Sequence, residues 1–285
     1  MPLGAARFTL QGGVKEFDLQ YLVIAGGGGG GGSQYVSESS GGGGGGGYRN
    51  SYASETSGDN SSTESTIAVT ADGTTTYAVS IGGAGTTAPG SQYSNASSGG
   101  NSQFGSITSI GGGGGGTNSN GSTGGSSGGS GHQSGSTISG TPNQGGDGGR
   151  GLTSSPWAGG AGGGGGAAGG NGTGAANYQT AGNGANGLAS SITGSSVTRA
   201  GGGRGSAQGA SPTQGSNGTG SGNTANRGGG GGASYAHGGT GVVILRYPST
   251  VTIANPGGGL TIVETTDGSD TVASINGGSG NVSWS

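Results

Sequence analysis

A chain of 285 residues with 84 glycines, 26 % hydrophobic and 7 % charged residues has too few apolar side chains for a conventional core and too few charges for a conventional surface. It has no cysteine, which excludes a disulfide framework and thiolate metal sites, and its formal net charge of -3, with Lys15 the single lysine, leaves no basic patch for nucleic acid. No apolar run approaches the roughly 18 residues that span a bilayer, and the opening Met1-Pro2-Leu3-Gly4-Ala5-Ala6-Arg7 lacks the charged and apolar regions of a signal peptide, so synthesis in a cytoplasm without secretion or membrane insertion is expected.

Along the chain, residues 1–25 hold two strand candidates, Arg7–Leu10 and Phe17–Ala25. Residues 26–239 hold nearly all the long glycine runs, and a recurring phrase feeds them: a short β-type run that enters oligoglycine. Tyr21–Ala25 leads into Gly26–Gly32, Tyr77–Ile81 into Gly82-Gly83, Ser106–Ile110 into Gly111–Gly116, and Ser196–Ala200 into Gly201–Gly203. A mirrored exit follows, where Gly228–Gly232 and Gly238-Gly239 precede Gly241–Tyr247. β-branched residues suit strands. The polar segments 50–65, 86–104, 117–147, 171–187 and 206–226 read as surface loops. Residues 240–285 read as a small β-unit with strands Val242–Tyr247, Val251–Ala254, Leu260–Thr265, Thr271–Ile275 and Asn281–Trp284. Breaks are expected at Pro248, Asn255-Pro256-Gly257, Asp267-Gly268 and Asn276-Gly277, with Trp284 as an anchor.

Such a composition also suits a flexible linker, but typical disordered chains carry high net charge, and this one does not. The ordered alternative is a core made of backbone. Glycine in an extended helix of three residues per turn turns every N–H and C=O outward, so neighbouring runs can bond in all lateral directions. One isolated run could not offset the entropy of ordering glycine, whereas a lattice of many could. A seven-residue run such as Gly41–Gly47 would span about 22 Å. The expected fold is all-β with packed polyglycine-II helices, short flanking strands, essentially no α-helix and a small C-terminal β-unit.

Catalytic chemistry is poorly provided for. His132 and His237 are the only histidines, neither in a metal-ligand spacing, and Gly145-Gly146-Asp147-Gly148-Gly149 resembles a calcium-binding repeat but occurs once. No enzyme activity, cofactor or metal site is expected. Aromatic side chains offer an apolar face and a polar tip to a surface ligand. Tyr93, Phe104, His132, Trp157 and Tyr178 are therefore the receptor-contact candidates. Tyr35, Tyr48, Arg49, Tyr235 and His237, beside glycine stretches, are expected to act as lids on the lattice.

The phrases YLVIAGGGGGGG (21–32), TYAVSIGGAG (76–85), ASSITGSSVTRAGGG (189–203) and GVVILRYP (241–248), with the seven glycines before Tyr48-Arg49, resemble the glycine-rich domain of phage tail-fibre and other virion proteins. The opening MPLGAARF and the ending LTIVETTDGSDTVASINGGSGNVSWS resemble structural proteins of marine phages, especially cyanophages. The core is more loosely similar to the tail-fibre-tip adhesins of T-even phages. The resemblance implies a virion structural role, a polyglycine-II sandwich and host recognition through the loops between runs. On that reading residues 1–25 mount the protein, and its partners are further copies of itself (a homo-oligomer, with a trimer as one form), other virion proteins and a host cell-surface glycan or outer-membrane protein. Two alternatives stand beside it: a capsid decoration or tail-assembly protein without a receptor, and an ice-binding protein.

Overall fold

The β-branched runs that flank the glycine tracts pair with one another, while the tracts bond among themselves. The computed structural model describes residues 9–11, 14–32, 39–87, 94–155, 157–175, 178–208, 218, 221–222, 224–234 and 236–285. Its strands are β1 (Thr9–Gln11), β2 (Val14–Ile24), β3 (Tyr48–Asn50), β4 (Ile67–Ala71), β5 (Tyr77–Ser80), β6 (Ser102–Phe104), β7 (Ile107–Ser109), β8 (Thr173–Ala175), β9 (Tyr178–Thr180), β10 (Leu188–Ser190), β11 (Val197–Arg199), β12 (Val242–Pro248), β13 (Ile253–Ala254), β14 (Leu260–Asp267) and β15 (Asp270–Trp284). Among the described residues the one helical element is a single 3-10 turn, Gly58–Asn60. The chain is all-β, as its sequence predicts.

β2 organises the sheet. Its C-terminal half pairs antiparallel with β12 on one side and with β3 on the other, and its earlier residues pair with β1 and β4. β12 pairs with β15, which continues past β14 to reach β5 and β13, and β5 leads to the hairpin β6–β7. The curved sheet nearly closes, because the Ser109 hydroxyl on β7 donates to the Val23 carbonyl on β2 at 2.7 Å. Alternation along β2 puts Phe17, Leu19, Tyr21 and Val23 inside this near-barrel with Leu245, Tyr247, Ile275, Phe104 and Trp284. Leu22 and Ile24 on the opposite face pack with Tyr48, Ile192 and Ile244. A strand buried on both faces reads as a near-continuous apolar run, which explains Tyr21–Ala25.

The break expected at Asn276-Gly277 is instead the middle of β15. There the register with β14 slips, Thr261 facing Gly277 and Ile262 facing Ile275, so Asn276 is the extra residue of a bulge. Gly278, at φ +96, supplies the backbone freedom for the bend. The bulge redirects β15 from β12 and β14 toward β5 and β13, and one strand replaces the two predicted.

The glycine tracts follow a period of three. In run 26–31 the N–H groups of Gly26 and Gly29 donate to Gly100 and Ser97, those of Gly27 and Gly30 to Gly239 and Ala236, and those of Gly28 and Gly31 to Gly44 and Gly41. Run 41–47 is the centre of the array. It donates to the runs around 110–116, 160–163 and 228–231, and accepts from those around 25–31, 126–129 and 203–206, so neighbours surround it on six sides. Almost every glycine within these runs has no room for a side chain: a Cβ on Gly28, Gly43 or Gly45 would lie 2.1–2.2 Å from a neighbour's carbonyl oxygen. None of these three has a positive φ, so glycine is required for close approach and not for left-handed backbone.

The polar segments are not all loops. Ser126-Ser127-Gly128-Gly129-Ser130 lies buried within the array, and Ser127 and Ser130 direct their hydroxyls to the carbonyls of Ser139 and Ser136. Serine is small enough for an edge position, and a nearby carbonyl satisfies its hydroxyl.

Two charged clusters tie the sheet's flanks. Arg246 holds Asp267 at 2.6 Å and Asp270 at 2.9 Å, and its guanidinium lies 5.4 Å from the Tyr52 ring centroid. Glu64 accepts from Arg49 at 2.6 Å, Ser57 at 2.8 Å and Tyr21 at 2.9 Å. Burial alone would raise the pKa of Glu64, but these hydrogen bonds and the Arg49 charge outweigh it and hold the carboxyl below its ordinary value. A carboxyl more acidic when folded stabilises the fold above its unfolded pKa, and that contribution is lost as pH falls through the depressed folded value. The urea midpoint is therefore expected to drop as pH falls from about 4.5 downward, and Glu64→Gln to flatten that part of the profile. Parallel profiles for the two proteins would show that Glu64 is not responsible.

Candidate functional site

The array gives the molecule two poles. Runs leave the barrel end after β2, β5, β7 and β11 and return to it before β3, β6, β10 and β12, so the hairpin β6–β7 and the separate hairpin β10–β11 lie at this pole, as do the turns near 144, 165 and 227, whose carbonyls accept from the N–H groups of Tyr48, Asp59 and Ala200. The segments 117–120, 132–136, 152–155 with 157, 173–175 and 178–180 gather at the opposite end, separated from the barrel by roughly 20 Å at about 3.1 Å per extended residue.

Side-chain amides and hydroxyls lace this loop pole together. Asn95 accepts from the Thr117 N–H at 3.2 Å and the Ser119 hydroxyl at 2.8 Å, and donates to the Asn120 carbonyl at 2.8 Å. Ser134 bonds the Asn120 side chain. The Thr117 hydroxyl reaches the Ser94 carbonyl at 2.9 Å.

Beside this lattice of amides lies an aromatic pair. His132 and Trp157 stack at 4.5 Å between ring centroids, with 29° between planes. Both the backbone N–H and Nδ1 of His132 meet the Ser39 carbonyl, at 3.0 and 2.9 Å. A carbonyl only accepts, so Nδ1 carries the hydrogen. The Trp157 carbonyl accepts from the Ser39 hydroxyl at 2.7 Å and the Gln208 N–H at 3.0 Å. Ala158, Ala181 and Ala207, with Leu152 against them, form a small apolar patch next to it. Tyr178 stands on the β8–β9 hairpin with 73 % of its surface exposed. A half-exposed indole stacked on His132, its backbone anchored by two hydrogen bonds to the carbonyl, and an exposed phenol form platforms that can stack on an apolar ring face and donate to hydroxyls.

A family model described as a glycine-rich domain matches residues 3–248. The chain belongs to this glycine-rich domain family. The match ends at Pro248, the last residue of β12, so β13, β14 and β15 lie beyond it. No curated protein and no solved structure matches the chain significantly.

Within this glycine-rich domain protein, Trp157 and Tyr178 lie at the loop pole with surface to offer. Tyr93 lies outside the described residues. Phe104 is a correction: it is fully buried at the barrel pole, 6.1 Å from the Tyr77 ring and 6.3 Å from that of Trp284, and has no face for a partner. Its position one residue before a hairpin glycine resembles a loop, but strand alternation turns it inward. His132 is a second correction, because at 1 % exposure it supports Trp157 from beneath and contacts no solvent ligand. Among the expected lids, Tyr48 is buried against the ends of the runs and Arg49 is half-buried on Glu64. His237 is exposed, 3.4 Å from the Thr87 N–H, and Tyr35 and Tyr235 lie outside the described residues. Sequence reasoning missed Ser39, Glu64 and Arg246. Each acts through partners distant in the chain, and no local spacing betrays them.

Proposed function

We propose that this chain is a phage virion structural protein of the tail-fibre or adhesin type, displayed outside the cell on the particle. Its glycine array is a polyglycine-II lattice, for which the three-residue period of bonding partners is the support. The single observation that carries the reading is the polarity of the fold: the paired strands sit at one end of a close-packed array, and a set of connecting loops bearing the exposed Tyr178 sits at the other. The start of β2 and the end of β15 lie at the barrel pole, away from those loops. Attachment there, to virion proteins or to further copies, leaves the loop pole free to meet a host glycan or surface protein. Among the described residues no helix is long and apolar enough to cross a membrane. No group of three metal-ligating side chains occurs among them either.

Immunogold labelling of particles that carry the chain should decorate fibre ends; gold on heads or along the tail tube would overturn the adhesin assignment. Purified protein should compete with particles for host cells. Tyr178→Ala is expected to weaken that competition about tenfold, on the scale of one lost stacking contact, with thermal stability unchanged because the ring is exposed. Undiminished competition by both Tyr178→Ala and Trp157→Ala would remove the aromatic platform from the proposal.

A further inference from the structure

β14 pairs with β15 along one edge, and among the described residues no backbone hydrogen bond reaches its other edge. The open edge is eight residues long, Leu-Thr-Ile-Val-Glu-Thr-Thr-Asp, rich in β-branched residues. The bulge of this hairpin falls on β15, so β14 itself is unbroken. It carries none of the lysines, prolines or bulges that usually guard an edge against pairing. Val263, in the middle, is 50 % exposed and, with Tyr178, one of two large apolar side chains exposed among the described residues.

The order of side chains says what fits this edge. Alternation places Thr261, Val263 and Thr265 on the exposed face. Leu260 and Ile262 turn toward the core on the other face, and Glu264 there accepts from Tyr247 at 2.8 Å. The exposed triplet Thr-Val-Thr reads the same in both directions. We propose that β14 pairs antiparallel with β14 of a second copy of this chain about a two-fold axis at Val263, joining two near-barrels into one continuous sheet. Val263 then faces its own copy, Thr261 faces Thr265, Ile262 faces Glu264 and Leu260 faces Thr266. No carboxylate opposes a carboxylate, and Asp267 falls beyond the paired stretch, where Arg246 already holds it. A closed two-fold contact uses the same patch on both partners, as this palindrome requires, and edge addition supplies its main-chain hydrogen bonds. The pairing concerns strands beyond the family match and stands without the virion reading.

The chain has no cysteine, so an introduced thiol is unique. Val263→Cys lies on the proposed axis, where cross-strand Cβ atoms approach closely enough for a disulfide, and mild oxidation should link it into dimers. Thr265→Cys alone is off the axis and should stay unlinked, whereas Thr261→Cys with Thr265→Cys should link. Sedimentation of the unmodified protein should give a dimer, and Val263→Lys should raise its dissociation constant tenfold or more, about 1.4 kcal/mol. A wild-type monomer at the highest soluble concentration, a trimer, or equal linking at 263 and at 265 alone would each overturn the proposal. A monomer that still labels fibre ends would sink this pairing and leave the adhesin reading standing.

Discussion

Gly43→Ala is expected to destabilise the protein by about 3 kcal/mol or more, whereas Gly83→Ala is expected to stabilise it by about 0.4–1 kcal/mol. Gly43 sits in the central run, and a Cβ there would lie 2.2 Å from the Gly28 carbonyl oxygen and 2.7 Å from that of Gly29. Both obstacles are backbone atoms of a run that is itself packed on several sides, so no side chain can swing away to relieve the overlap. Overpacking in ordinary cores costs 1–3 kcal/mol because neighbours shift; here the neighbours are mutually bonded, which places the cost at or above that range. Gly83 lies at the exposed margin with nothing within 4 Å of its Cβ position and no positive φ. Alanine there removes only freedom of the unfolded chain. Urea denaturation of both variants separates the two effects. Equal, small changes would mean that the tracts are not packed in solution, and the rigid support for the loop pole would go with them.

What the sequence discloses depends on whether a feature is local. The phrases that enter glycine runs were legible because β-branched residues stop where Cβ atoms no longer fit, as at Ile24-Ala25-Gly26, and each one marks a strand that hands over to the array. The partners of those strands were not legible. β2 lies between β12 and β3, which are distant in the chain, and the sequence carries no mark of that pairing. The segments 86–104 and 117–147 read as loops because serine and asparagine dominate them, yet Ala96, Ser97 and Gly99 and residues 126–131 contribute runs to the array. The hydroxyls of Ser127 and Ser130 are satisfied by the carbonyls of Ser139 and Ser136, a use of serine that composition cannot distinguish from solvent exposure. At the candidate site the same limit holds. Trp157 was found as an aromatic in a polar loop, but its support by His132 and Ser39 comes from residues 25 or more positions away. Asn276-Gly277 carries the residues of a turn, and the ladder with β14 overrides them by absorbing one residue as a bulge.

Trp284→Ala is expected to cost about 3–5 kcal/mol, the range for removing a large buried aromatic. The indole is fully buried at the centre of the near-barrel, 5.8 Å from the Phe17 ring, 5.6 Å from Tyr77, 6.3 Å from Phe104 and 5.8 Å from Tyr247, each contact edge-on. These rings come from β2, β5, β6 and β12, so one side chain near the end of β15 joins strands from the first and last parts of the chain. Backbone pairing adds to this, since Ile253 on β13 faces Trp284 and the Gly73 N–H donates to its carbonyl at 2.8 Å. Trp284→Phe keeps an edge-on aromatic and removes an indole N–H that has no partner among the described residues, so its cost is expected to be clearly smaller. Trp157 is the only other tryptophan, and in a Trp157→Phe background the remaining fluorescence reports on this centre alone. It should be blue-shifted when folded and move to the red in one transition with loss of the sheet. A red, solvent-like spectrum in the folded protein would mean that β15 does not close the near-barrel, and the separation of barrel pole from loop pole would lose its anchor.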